Sequence, residues 1–114
     1  MKTKILLAAA LCALLAAGSA SAQSYGFDPH GGGLVWRIER VGRSIRDHEA
    51  NGDMPPPAAN RDVNELRDLK YETQNILQRQ GFLTQDQWYS LNHRVNIIAR
   101  RASLTEREVG GWYD

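Results

Sequence analysis

From Asp47 to Asp53 the chain reads Asp-His-Glu-Ala-Asn-Gly-Asp, with oxygen-bearing side chains at the first, third, fifth and seventh places and glycine at the sixth. In a calcium loop those places supply the first carboxylate and amide ligands and the sharp turn. Asp47, Glu49, Asn51 and Asp53 are therefore the candidate metal ligands. The second half of the segment departs from that pattern. Ala58 holds the twelfth place, where a bidentate glutamate closes a calcium site, and Pro55, Pro56 and Pro57 fill the ninth to eleventh. The same residues also make a plain polar helix end stopped by glycine.

Other chemistry has less to stand on. His30, His48 and His93 are far apart in the chain, and no two stand at the i, i+4 spacing that puts paired ligands on one helical face. His48, beside Glu49, is the one placed to assist an ion. His30 sits among glycines as a solvated side chain, and His93 flanks an apolar stripe as a surface or boundary residue. Gly31-Gly32-Gly33 lacks the lysine and the preceding strand of a phosphate loop and reads as a hinge. No nucleophile in a strained turn and no paired acids in a pocket can be picked out. The chain is expected to be non-enzymatic and to need no cofactor.

Binding is the remaining chemistry. Arg37, Arg40, Arg43 and Arg46 recur every third residue, and Asp62, Glu65, Asp68 and Glu72 follow much the same rhythm one helix later. Two arrangements are open: the stripes face each other, each exposed pair contributing about 0.2–1 kcal/mol, or both are solvated. The arginines also suit an anionic partner. Trp36 and Tyr89 are either core residues or, exposed together, an apolar recognition patch. Trp36, Arg37, Arg40 and Tyr89 are the candidate protein-binding residues.

These residues need elements to hold them. Lys2 and Lys4, the apolar run from Ile5 to Ala17 and the small residues Ala20-Ser21-Ala22 form the three parts of a secretory signal, with cleavage expected after Ala22. The expected organisation is a signal peptide over 1–22, a flexible leader over 23–33, a helical domain over 34–109 and a tail over 110–114. The only cysteine, Cys12, lies in the signal. The exported domain must then rely on helix packing or self-association, and a homodimer is a natural expectation. The chain has fourteen Lys and Arg against thirteen Asp and Glu; without Lys2 and Lys4 the net charge is −1, too little basic excess for a nucleic-acid binder. No membrane span is expected beyond the signal.

Leu34, Ile38, Val41 and Ile45 lie at helical spacing and predict a first helix from Leu34 to about Ala50, ended by Asn51-Gly52 and the three prolines. A second helix is predicted from near Asn60 or Asp62, with Asp62 and Glu65 as its capping pair, to about Gln80. Its inner stripe is Leu66, Leu69, Thr73 and Ile76, and Gly81 ends it. The third begins at a capping box, Thr84 with Gln87, stapled by Leu83 on Trp88, and carries Leu91, Val95, Ile98 and Ala102 inward. A second box, Thr105 with Glu108 and Leu104 against Val109, starts a final turn that Gly110-Gly111 ends. The predicted fold is all-α: a small three-helix bundle built on an αα-hairpin, with a short fourth C-terminal helical turn.

Leu83-Thr84-Gln85-Asp86-Gln87 forms an LTxxQ motif and Leu104-Thr105-Glu106-Arg107-Glu108 an LTxxE variant, and together they resemble the two motifs of the Spy/CpxP periplasmic stress proteins. That resemblance implies an exported all-helical dimer acting as a chaperone or stress sensor. The second helix, with the Gly81-Phe82-Leu83-Thr84 start of the third and Asn92 and Arg94 beyond, is similar to small exported helical proteins of alphaproteobacteria. The expected function is an exported, periplasmic or secreted, non-enzymatic helical protein that binds other proteins, in the manner of an envelope-stress chaperone. The alternatives are a divalent-metal binder using 47–53 and a structural envelope component.

Overall fold

The computed structural model describes residues 27–111. They form four helices, α1 (Gly32–Ala50), α2 (Pro56–Gln80), α3 (Gln85–Arg101) and α4 (Glu106–Val109), and no strand. The signal peptide with Cys12, the first part of the leader and the terminal Trp112-Tyr113-Asp114 lie outside the described residues. No described helix is long and apolar enough to cross a membrane.

The apolar periodicity does what helical geometry requires of it. Leu34, Ile38, Val41 and Ile45 of α1 are all buried, and they join Leu66 and Leu69 of α2 and Trp88, Leu91, Val95 and Ile98 of α3 in one core, closed by Leu104 and Val109. Thr73 completes the α2 stripe, its hydroxyl returned to the Leu69 carbonyl at 2.8 Å, whereas Ile76 and Ala102 are only partly covered.

Neighbouring helices run antiparallel. Between α2 and α3, Glu72 meets Arg94 and Asp62 meets Arg101, so residue numbers fall on one helix as they rise on the other. Between α1 and α2, Glu39 pairs with Lys70 and Arg46 with Asn60 in the same opposed order. The predicted αα-hairpin is present, and α1 packs mainly along α2.

Two helix starts differ from the expectation. α1 begins at Gly32, within what the glycines suggested was a flexible leader, because Asp28 organises the turn before it: its carboxylate accepts from the His30 and Gly33 amides at 3.0 and 3.2 Å. Phe27 stands edge-on to Trp88, and the Pro29 carbonyl receives the Leu83 amide at 2.8 Å, so the end of the leader is pinned to the α2–α3 turn. α2 starts at Pro56 rather than near Asn60, with proline in its first turn, where the missing N–H costs no intrahelical bond. Asp62 is consequently no cap. It is buried in the helix interior with its carboxylate on Arg101 and Arg61.

The two capping boxes form as expected. Thr84 accepts from the Gln87 amide at 3.1 Å while Gln87 accepts from the Thr84 amide at 2.9 Å, and Thr105 and Glu108 repeat the exchange. Replacing Thr84 by Ala removes one side of the first box and should lower stability by about 1 kcal/mol. Urea unfolding followed by helical circular dichroism measures it, and an unchanged midpoint would show that the box is not needed to start α3.

Candidate functional site

Beside its apolar stripe α1 carries a second one, Arg37, Arg40, Ser44 and His48, again at spacings of three and four, and all four side chains reach α4. The reason lies in α4 itself. A single turn of helix leaves its last carbonyls without intrahelical partners, and the end of the turn carries partial negative charge. Gly110 and Gly111 return their amides to the Glu106 carbonyl. Arg40 takes the Arg107 carbonyl at 2.7 Å and the Glu108 carbonyl at 3.3 Å, Ser44 also takes Glu108 at 3.2 Å, and Arg37 Nε takes Val109 at 3.1 Å. Every carbonyl of α4 thus has a donor, and most of the donors come from α1.

Arg37 is the deepest member. It is 3% exposed, and its guanidinium also donates to Asn92 Oδ1, to Asn96 Oδ1 at 2.5 Å and to the Gly111 carbonyl at 2.7 Å. Burying a guanidinium is tolerable only when its donors are met by oxygen. Asn92 and Asn96, one helical turn apart on α3 and both buried, supply part of that shell. The expectation that Arg37 serves as a surface recognition residue is therefore corrected: it is a core residue tying α1, α3 and the C-terminal turn together.

The other expected binding residues are partly available. Trp36 is 49% exposed, carries the Arg40 guanidinium over its ring at 5.2 Å and lies against Gly110, where an added methyl group would come within 3.3 Å of Trp36 Cζ3. Tyr89 is half-buried, edge-on to Trp88 at 5.2 Å between centroids. The arginine and acid stripes do not face each other. Arg37 and Arg40 turn to α4, Asp62 and Glu65 hold Arg101 from α3, and Glu72 holds Arg94.

In the 47–53 segment Glu49 is occupied by Arg46 at 2.7 Å and Asp53 by His48 at 3.2 Å. No group of three His, Cys, Asp or Glu side chains able to hold a metal ion occurs among the described residues. His48 instead bridges Asp53 on Nδ1 and Glu108 on Nε2, the latter at 2.5 Å. Its pKa is raised above the ordinary 6.5, first by the hydrogen bond to Glu108 and then by that to Asp53. Burial pushes the Glu108 carboxyl up, but hydrogen bonds from the Thr105 amide, His48 and the Thr105 hydroxyl outweigh it and bring the group below 4.5.

One face of α1 and α2 stays open. A shallow groove of about 800 Å³ runs over Gly42 between α1, Val63 of α2 and the outer side of α4, bordered by Arg40, Arg43, Arg46 and Arg107. It continues past Glu39, Gly42 and Val63 into a second depression of about 240 Å³ that ends on Leu66 and Tyr71. Gly42 has no side chain to divide the two. The guanidinium groups of Arg43 and Arg107 make no hydrogen bond or ion pair among the described residues, and Tyr71 is 62% exposed. No protein-family model, curated protein or solved structure matches the chain.

The α4 clasp and the buried shell around Arg37 were not anticipated from the residues. A signal for the shell was present: Asn92 and Asn96 flank Leu91 and Val95, which puts two amides a turn apart beside the inward stripe of α3. Arg37→Met keeps most of the bulk and leaves buried acceptors unpaired, so it should lower stability by roughly 1–3 kcal/mol. Arg40→Met, at the wet end of the clasp, should cost less, about 0.5–1.5 kcal/mol. Chemical denaturation of both variants tests the order, and equal losses would refute the view that the buried member carries the clasp.

Proposed function

We propose that the chain is exported by its first 22 residues and acts, without catalysing a reaction, by binding segments of other proteins in the groove between α1, α2 and α4. The observation that carries this reading is the polarity of the groove. One end offers the unpaired guanidiniums of Arg43 and Arg107, and the other offers Val63, Leu66 and the exposed ring of Tyr71. A segment with acidic residues next to apolar ones complements both ends. Charge attraction steers such a segment in and apolar contact retains it.

A groove so open is poorly suited to catalysis, which needs reacting groups held away from water. It suits transient capture of exposed segments, the task expected of an envelope-stress protein, and the LTxxQ-type resemblance supports the same reading. Capture by an open groove should be weak and sensitive to salt, because the arginines at its rim are screened within about 10 Å at moderate ionic strength.

The test is a nitrogen-15 NMR titration of the chain from Gln23 onward, which contains every described residue, with two helical peptides of equal leucine content, one carrying glutamates and the other lysines. The glutamate peptide should shift the amides of Gly42, Arg43, Val63 and Arg107, and Arg43→Glu with Arg107→Glu should weaken it by roughly tenfold, about 1.4 kcal/mol. Equal binding of the lysine peptide, or shifts confined to another face, would remove the reading.

Gly42→Ala separates the groove from the fold. A Cβ at this helical position meets only Leu66 Cδ1, at 3.9 Å, an ordinary contact. Alanine should therefore raise stability by about 0.5–1 kcal/mol while narrowing the groove. A more stable protein with weaker peptide binding is the expected pair of results, and unchanged binding would place the contact elsewhere.

A further inference from the structure

We propose that α4 is a proton-operated wall of the groove: His48, shared between Asp53 and Glu108, holds α4 against α1 when it is doubly protonated and loosens it when it is neutral. The consequence for ligand binding rests on the groove reading above; the movement of α4 does not.

The geometry demands two protons. Nδ1 faces Asp53 Oδ2 at 3.2 Å and Nε2 faces Glu108 Oε2 at 2.5 Å. A neutral imidazole has one N–H, so one of its nitrogens would present a lone pair to a carboxylate. The acids facing His48 are Glu108 from α4 and Asp53 from the turn after α1. On its own helix its chain neighbours are Asp47 and Glu49, the latter held by Arg46, and no group of α2 or α3 bonds to it among the described residues.

α4 is built to respond. One turn of helix has no independent stability, so its docking to α1 decides where it sits. It is entered through Ser103, a non-glycine residue at φ 60°, and left through Gly110 and Gly111 at φ 77° and 105°. Left-handed serine is strained and persists only while the surrounding contacts impose it. Arg107 and Glu108 line the groove and ride on this turn, so loosening it moves part of the basic rim.

The direction with pH follows from the two shifts. The His48 pKa is raised above 6.5, so its contribution is complete below 6.5 and is lost as pH rises through the raised value. The Glu108 pKa is lowered below 4.5, so its contribution is present above 4.5 and is lost as pH falls through the lowered value. The wall is closed in mildly acidic solution and loosens on the alkaline side of histidine titration.

The test follows the His48 ring and the amides from Thr105 to Gly111 by NMR between about pH 5.5 and 8.5, without peptide. The α4 amides should move with the His48 midpoint, above 6.5, and His30→Gln and His93→Gln should leave that midpoint unchanged. His48→Gln should hold α4 in its high-pH position throughout. Glu108→Gln should keep the capping box, as Gln87 does in α3, while lowering the His48 midpoint. Still α4 amides, or a midpoint that survives in His48→Gln, would overturn the proposal. The glutamate peptide should lose about threefold or more in affinity between the same limits. A peptide that binds at no pH would overturn the groove reading and leave the α4 titration standing on its own.

Discussion

A guanidinium placed among leucines and valines has to be surrounded by oxygen, and Arg37 imposes that requirement on three separate parts of the chain. Its neighbours are the Asn92 and Asn96 amides of α3 and the Val109 and Gly111 carbonyls at the C-terminal turn. Satisfying one buried cation thus fixes the register of α1 against α3 and brings back a chain end that the apolar stripes alone would leave free to choose its place. The individual hydrogen bonds are modest, but leaving any of these buried groups unmet is costly, and that asymmetry makes the arrangement specific.

Two stripes on α1 divide the work. Leu34, Ile38, Val41 and Ile45 build the bundle, and Arg37, Arg40, Ser44 and His48 hold α4 beside it. The stripes overlap at Arg37 and separate toward the C-terminus of α1, so the clasp is dry at one end and wet at the other. Its dry end sets position. Its wet end, where a histidine answers two carboxylates, is where solution conditions enter. The groove follows from the same placement, since α4 forms one side of it and Gly42 leaves its centre unfilled.

How much of this could be read from residues depended on how local the cause was. Both capping boxes and the glycine stop at Gly81 were legible because each is settled within a few residues of chain. The apolar stripes were legible because burial follows helical period. The start of α2 was missed because proline, usually a stop, is also a good first-turn residue, and Asp62 was then read as a cap instead of a buried partner for Arg101. Arg37 was misread for a different reason. Arginine is rarely buried, and what buries this one lies 55, 59 and 72 residues further along the chain. The 47–53 segment carries half of a calcium pattern, yet two of its side chains are taken by Arg46 and His48 through contacts the pattern does not specify.

The limits of any motion at α4 follow from its inner side. Val109 is wholly buried, Leu104 just before the turn is nearly so, and Arg37 grips the Val109 carbonyl. Pulling the turn away entirely would expose apolar surface at about 25 cal/mol per Å² and strand the Arg37 donors, a penalty that one histidine proton cannot offset. His48, Arg40 and Ser44 act instead on the outer side, through Glu108 and the neighbouring carbonyls. A turn anchored by Val109 and held elsewhere by polar contacts rocks about its buried residue and does not detach. The residue carried furthest by that rocking is Arg107, on the rim of the groove. Stability and recognition in this small bundle are thereby assigned to opposite faces of the same four residues.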